Sequence, residues 1–345
     1  MRKNGDKKVG DIESENQDIE NKIKELARKL LREKEVDVII GYTKGTVPLS
    51  SSPVFITNEE DVDKLLWNNL CYVNLANYLA PRIPTLYDEE GQKLKVGIVA
   101  KGCVGRALIH LAVENQINFE NIKMIGISCN GIINRKRIEK EIGEREILEI
   151  SILGNNIIVK GRDFEETFPF DEYMNELCKV CKVKSPPNVD GSCVGECLEN
   201  PVIEDDFNDI SDFESKTSEE KWAYIKDTLS ACTRCYACRE VCPMCYCNLC
   251  FVDQNKPIWF GKTTDFTDIF AFHFNRAMHL AGRCVACGAC SSVCPMGIDL
   301  NLITRKLEKI VKERYNFTSG IDKETVPPMM SFNINDKEEF MMEED

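Results

Sequence analysis

Cys232–Cys250 reads CTRCYACREVCPMCYCNLC, and seven of its nineteen residues are cysteine. Four chemistries use sulfur at this density: disulfides, zinc, iron–sulfur clusters and a buried thiol core. A second run decides between them. Cys232, Cys235, Cys238 and Cys242 precede Pro243 as C-x2-C-x2-C-x3-C-P, and Cys284, Cys287, Cys290 and Cys294 precede Pro295 with the same spacing. Three thiolates on one tight turn seat three irons of a cubane, whereas the fourth iron points away from that turn. The cysteine that arrives after a three-residue step then serves the neighbouring cube. The pattern predicts two [4Fe-4S] clusters, one on Cys232, Cys235, Cys238 and Cys294, the other on Cys284, Cys287, Cys290 and Cys242. Zinc sites pair two short C-x2-C arms and fit this repeat poorly.

The chain has 345 residues, 43% of them hydrophobic, enough for two or three domains with cores that need no covalent staples. MRKNGDKKVGDIESENQDIE has no apolar segment of the secretory kind, and no run approaches the roughly 20 apolar residues of a membrane span. The expectation is a soluble, cytoplasmic protein, in a compartment where clustered cysteines are more often ligands than bridges. Net charge is −13, with acidic residues gathered at 199–220 and in the terminal KEEFMMEED. These read as a solvated linker and tail. Such acidity excludes the basic footprint of a nucleic-acid partner and suits docking to a basic patch on another redox protein.

Residues 1–15 read as disordered, and Ile19, Ile23, Leu26, Leu30 and Leu31 then recur at helical spacing before VDVIIGY, a short buried-strand run. KVGIVAKG, CVGRALIHLAVENQ, NIKMIGISCNG and RKRIEKEIG continue as strand, helix, strand, helix, the grammar of an α/β domain with a parallel sheet. EILEISILGNNIIVKG adds two strands about a turn at Gly154–Asn156. The expected organisation is an α/β domain over 16–197 and an acidic linker over 198–216. A mainly α-helical dicluster ferredoxin domain follows over 217–319, then an acidic tail over 320–345. Helices are expected in SEEKWAYIKDTLSA, DFTDIFAFHFNRAMHLAG and MGIDLNLITRKLEKIVKERYNF. The 41-residue insert between the cysteine runs is aromatic-rich, which suits covering the clusters, and His273 and His279 within it read as core or cap residues rather than ligands.

More cysteines lie outside the repeat. Cys103 follows KVGIVAKG and Cys129 follows KMIGIS, which puts both beyond the carboxyl ends of neighbouring strands, the ligand edge of an open α/β sheet. With Cys178 and Cys181 they form a candidate third [4Fe-4S] site, Cys71 standing in reserve. Cys193 and Cys197 read as spare thiols or as late additions to a site. Cys245, Cys247 and Cys250 are not needed by the two cubes. They are either a hydrogen-bonding thiol shell or ligands of a fourth cluster completed from elsewhere, by Cys193 or Cys197.

VDVIIGYTKGT, WNNLCYVNLANYL, KVGIVAKGCVGRALIHL, IGISCNG and CKVC, in this order over residues 20–200, resemble the β-subunit family of coenzyme F420-reducing hydrogenases and F420-dependent formate dehydrogenases. CTRCYACREVCPMCYC and RAMHLAGRCVACGACSSVCP resemble the dicluster modules of their relatives and of heterodisulfide-reductase-type subunits. The resemblance implies FAD beside a [4Fe-4S] cluster, with hydride exchanged between the flavin and a two-electron carrier. It implies a hetero-oligomer with formate dehydrogenase, hydrogenase or heterodisulfide-reductase-like subunits. No GxGxxG follows VDVIIGY, so a dinucleotide grip is not supported. A flavin phosphate would instead meet Gly41, Lys44, Gly45 and Thr46, with Lys101 and Gly102 as a second group, although an ordinary glycine turn explains the same residues. Two other classes remain: a flavin-free iron–sulfur wire, and a redox sensor built on exposed thiols of low pKa.

Overall fold

The computed structural model describes residues 11–81, 86, 92–199, 203–205, 207–332 and 334. Helix α1 (Asp11–Arg32) packs Ile23, Ala27 and Leu30 against a five-stranded sheet. Its strands are β1 (Val38–Lys44), β2 (Ser51–Ile56), β3 (Val96–Ala100), β4 (Ile122–Gly126) and β8 (Cys193–Gly195), in the order β2-β1-β3-β4-β8. β1, β3, β4 and β8 run parallel, and β2 returns antiparallel along β1. Every residue of β3 is buried, as a strand covered on both faces requires. Helix α2 (Gly102–Val113) follows β3 directly, so its N-terminus stands at the carboxyl edge of the sheet.

Helix α3 (Arg135–Ile142) leads to a separate antiparallel sheet of β5 (Ile147–Leu153), β6 (Asn156–Gly161) and β7 (Glu165–Pro169), turned at Gly154 with φ +60°. Ile138, Ile142, Ile157, Val159 and Phe168 form its own small core. Single-turn helices α4 (Phe170–Tyr173), α5 (Glu176–Lys179) and α6 (Ser211–Glu214) precede the helical module of α7 (Ser218–Ser230), α8 (Ala237–Glu240), α9 (Phe266–His279), α10 (Ala289–Ser292) and α11 (Asn301–Tyr315). Thr217 caps α7, accepting from Glu220 N at 3.2 Å while Glu220 Oε2 accepts from Thr217 N at 2.8 Å, a reciprocal capping box.

Two segments expected to be unstructured are held. Residues 11–15 are helical, and Glu15 Oε2 accepts a 2.5 Å bond from Asn130. In the acidic linker, Asp205 and Asp209 pair with Arg305 of α11 at 3.0 and 2.8 Å, and Glu214 pairs with Lys306 and Lys309. Its charges answer a basic helix face rather than solvent. The chain beyond α11 turns back onto α2, burying Phe317, Ser319 and Gly320, and a Cβ on Gly320 would stand 2.0 Å from the Arg106 carbonyl oxygen. The first ten residues and the acidic stretch 335–345 lie outside the described residues.

Candidate metal centres

The two cysteine runs fold as copies of one motif. In the first, Arg234 and Tyr236 flank Cys235 with φ +53° and +61°; in the second, Ala286 and Gly288 flank Cys287 with φ +52° and +68°. Left-handed residues on both sides of the middle cysteine turn successive thiols inward, and three of the four accept a strained backbone to do so. Each run then enters a one-turn helix, α8 or α10. Arg234 N and Ala286 N each donate to the sulfur of the first cysteine of their run, Cys232 and Cys284, at 3.4 Å. Such N–H···S contacts are the protein's means of setting a cluster's potential.

The thiols group across the runs. Cys294 lies within electrostatic reach of Cys232 and Cys238, and Cys284, Cys287 and Cys290 lie within reach of one another. Cys242 sits beside Cys245, which it hydrogen-bonds. Burial pushes the thiols of Cys238 and Cys290 up to about 11 and that of Cys284 up to about 12. They are protonated at neutral pH unless a bound metal deprotonates them outright, so the donor set fits cationic iron. Among the described residues no three His, Cys, Asp or Glu side chains are gathered tightly enough for one metal ion. Ligands of a cubane stand further apart, because each binds a separate iron.

A third group forms at the carboxyl edge of the five-stranded sheet. Cys103 begins α2, Cys129 follows β4, and Cys178 and Cys181 arrive on and after α5; all four share one electrostatic neighbourhood, to which Cys71 is linked through Cys129. Burial raises every one of these thiols for which a shift is resolved, Cys71 to about 11 and Cys178 to about 12. The Lys184 carbonyl accepts from both Gly102 N at 3.3 Å and Cys129 N at 3.1 Å, tying the two strand ends together. Cys103 also lies within reach of Cys287 in the helical module.

Lys101 is placed otherwise than a phosphate ligand. Its ammonium, 2% exposed, donates to the Cys71 carbonyl and stands 5.6 Å from the Tyr42 ring centroid. Burial pulls its pKa down, while the neighbouring Tyr42 and the thiols of Cys103, Cys129 and Cys71, wherever they are ionised, push it up, and the net direction is upward. Gly102 is a glycine because a Cβ there would lie 1.9 Å from the Val183 carbonyl oxygen, which covers the start of α2. GYTKGT is a β-hairpin: Gly41 lies inside β1 against Leu65, Gly45 N donates to Ser50 O at 3.1 Å, and Lys44 and Thr46 are exposed. Gly41, Lys44, Gly45 and Thr46, expected to meet a flavin phosphate, thus share one hairpin, and Lys101 and Gly102 stand at the junction of β3 and α2. The cavity beside Cys103 and Cys181 is about 40 Å³, far below the roughly 300–1,000 Å³ of small-molecule sites.

Cys193 and Cys197 are joined as a disulfide, so neither is a spare thiol or a fourth ligand for the extra cysteines. Gly126 makes room for it, since a Cβ would lie 2.7 and 2.8 Å from the two sulfurs. Cys245, Cys247 and Cys250 line a cavity of about 200 Å³ with Arg239, Arg276 and Arg283. Cys245 N donates to the Cys242 carbonyl at 3.1 Å, and its thiol lies in the electrostatic neighbourhood of Cys242 and Arg276. His273, expected as a core residue, is buried with Nε2 3.3 Å from Cys232 Sγ, and burial, helped by Arg276 and Arg234, lowers it to about 4. His273 and Arg276 stand one helical turn apart on the buried face of α9, a spacing present in the sequence but shared by any packed helix.

Polar residues lock the helical module to the α/β domain. Glu114, after α2, accepts from Arg283 Nε and Nη2 at 2.7 and 3.0 Å and from Tyr246 at 2.5 Å, with His110 Nε2 3.4 Å away. Asn175 Nδ2 donates to Ser292 Oγ at 3.0 Å, packed where a Cβ on Gly288 would lie 2.7 Å from its Oδ1.

No family model matches the chain. It is 25% identical to the F420-dependent formate dehydrogenase subunit β of Methanocaldococcus jannaschii, over 90% of this chain and 93% of that one. It is 24% identical to the F420-dependent formate dehydrogenase 1 subunit β of Methanococcus maripaludis, over 88% and 91%. A chain of the xenon-derivatised F420-reducing [NiFe] hydrogenase complex from Methanosarcina barkeri aligns with 48% of this chain and 62% of its own length, at 18% identity and a TM-score of 0.35. Through about 90% of its length, with its cysteine-rich module included, the chain resembles the β subunits of F420-dependent formate dehydrogenases.

Proposed function

We propose that the chain is the electron-transferring β-type subunit of an anaerobic oxidoreductase complex, conducting electrons through three [4Fe-4S] clusters to or from a formate dehydrogenase, hydrogenase or heterodisulfide-reductase-like partner. The observation that carries this is the succession of thiol groups. The Cys71, Cys103, Cys129, Cys178 and Cys181 group adjoins Cys287, Cys290 of that next set adjoins Cys238, and the last set ends in the exposed Cys235. A [4Fe-4S] cluster, when bound, accepts and releases one electron at a time. The chain's own residues supply burial, N–H donors from Arg234 and Ala286, and the cation of Lys101. Tyr236, Phe251 and Phe272, packed with ring centroids 5.1–6.4 Å apart, keep water from the Cys232 side.

Both relatives carry F420 in their names, and this favours a second form of the same reading, in which the subunit also holds FAD. A hydride carrier delivers two electrons together, so passing them to one-electron clusters needs a group that accepts two and releases one. Iron and sulfide analysis of anaerobically purified protein tests the reading. About twelve iron per chain is expected from three cubanes; about eight would remove the sheet-edge site, and zinc in place of iron would overturn the whole. Flavin released into the supernatant at close to one per chain selects the FAD form, and its lack leaves the flavin-free conductor.

A further inference from the structure

Four arginines are buried among the described residues: Arg106, Arg234, Arg276 and Arg305. Taking a guanidinium out of water costs several kcal/mol unless an opposite charge answers it. Three are answered: Arg106 by Glu308 at 3.8 Å, Arg234 by Asp268 at 3.7 Å, and Arg305 by Asp205, Asp209 and Glu308 at 3.0, 2.8 and 2.8 Å. Arg276, on α9, has no carboxylate partner among the described residues, although it is only 5% exposed. Its Nη2 donates to the Cys238 carbonyl at 2.9 Å, and its Nε has no hydrogen-bond partner. What surrounds it is sulfur: Cys245, Cys242, Cys290 and Cys238 are its electrostatic neighbours, and it lines one cavity with Cys245, Cys247 and Cys250. Cys238 belongs to the ligand set of one cube, Cys242 and Cys290 to that of the other. A fixed cation so placed has only the thiolates of the two sets to balance it.

We propose that Arg276 is the shared counter-ion of the two cubane sites, a positioning residue whose fixed charge favours the reduced form of both and evens the passage of an electron between them. The proposal rests on the cubane reading of the two cysteine runs. Reduction adds one electron and no proton to a site, supplied by any low-potential one-electron donor, so a nearby cation stabilises the product more than the reactant. Removing the charge lowers the ratio of reduced to oxidised sites at a fixed potential by about tenfold, equal to 59 mV for one electron.

The test uses the full chain, purified anaerobically with its clusters, as wild type, Arg276→Met and Arg276→Lys. Iron is counted first, and each protein is then titrated with dithionite and mediators under EPR. Wild type without iron sinks the cubane reading itself, and with it this proposal. With wild-type iron confirmed, Arg276→Met is expected to shift both ferredoxin-type sites by about tenfold and leave the sheet-edge site unmoved, while Arg276→Lys recovers most of the shift. Full iron with unchanged ratios in Arg276→Met overturns the proposal, and a shift in one site alone overturns the shared role. If Arg276→Met loses iron, Arg276→Lys decides: full loading with near-wild-type ratios supports the counter-ion, and loss equal to that of the methionine variant overturns it.

Discussion

Glu114 is the hub through which the sheet domain grips the cysteine module, and Glu114→Gln tests that grip. Burial alone would raise its carboxyl, but the His110, Arg283 and Tyr246 partners overcome burial and hold it at about 2, against an ordinary 4.5. A depression of that size corresponds to a ceiling of roughly 3 kcal/mol by linkage; partial solvation of the pair reduces the expectation to about 2 kcal/mol. Because the folded value lies below the unfolded one, this stability is fully present above about pH 4.5 and is lost as pH falls from there towards about 2. Anaerobic urea unfolding, followed by cluster absorbance and far-UV circular dichroism, should show Glu114→Gln weaker by about 2 kcal/mol, with a gap constant from pH 8 to about 5. Arg283→Met should cost a similar amount, and the double variant less than the sum, since the two groups touch. A gap that changes between pH 8 and 6, or additive single losses, would refute the hub.

Gly288→Ala should cost about 1–2 kcal/mol for its left-handed backbone and at least another 1 kcal/mol for displacing Asn175 from Ser292. Gly297→Ala, at φ +65° with nothing within 4 Å, pays the backbone part alone, and equal losses in urea unfolding would contradict the packing account. Lys101→Met should lower the reduced fraction of the sheet-edge cluster about tenfold at a fixed potential, read by EPR with the ferredoxin-type pair as unmoved control; an unshifted sheet-edge signal at full iron content would show that Lys101 does not act on it. Arg305→Met, which strips the counter-charge from Asp205 and Asp209 in the linker and from Glu308 on its own helix, should cost about 3–5 kcal/mol and speed proteolysis within residues 199–216. An unchanged cleavage rate would mean that the ion pairs do not hold the segment.

What could be read without coordinates follows physical lines. β1, β3 and β4 alternate with α2 and α3, and buried parallel strands are continuous apolar runs, so VDVIIGY, KVGIVA and IKMIGI declare themselves. β2 hides because SSPVFI carries Pro53, tolerable only at the sheet edge where it lies. β8 is three residues long and β7 is EETFP, too short or too polar to show a period. The repeated cysteine spacing was legible because ligand geometry is local to each turn. Gly41 and Gly45 also have steric reasons to be glycine, in their contacts with Leu65 and Ser50, that spacing in the sequence does not show. Lys101 and Arg276 were opaque because a long cationic side chain in an apolar helix or strand end usually reaches for water. Only the fold shows that these two do not.

The return of the chain after α11, with Phe317, Ser319 and Gly320 buried beside α2, has a kinetic consequence. Electron tunnelling decays exponentially with separation, so a module swinging on a linker would conduct in bursts, fast when closed and negligible when open. Here the linker is clasped by Arg305 of the final helix, and the exit is seated on α2, where Ser319 Oγ lies 3.0 Å from His110 Nδ1. Fastened at both entry and exit, the module keeps Cys287 beside Cys103 through thermal motion. In the conductor reading, the step between the sheet-edge site and its neighbour should then have one rate rather than a distribution.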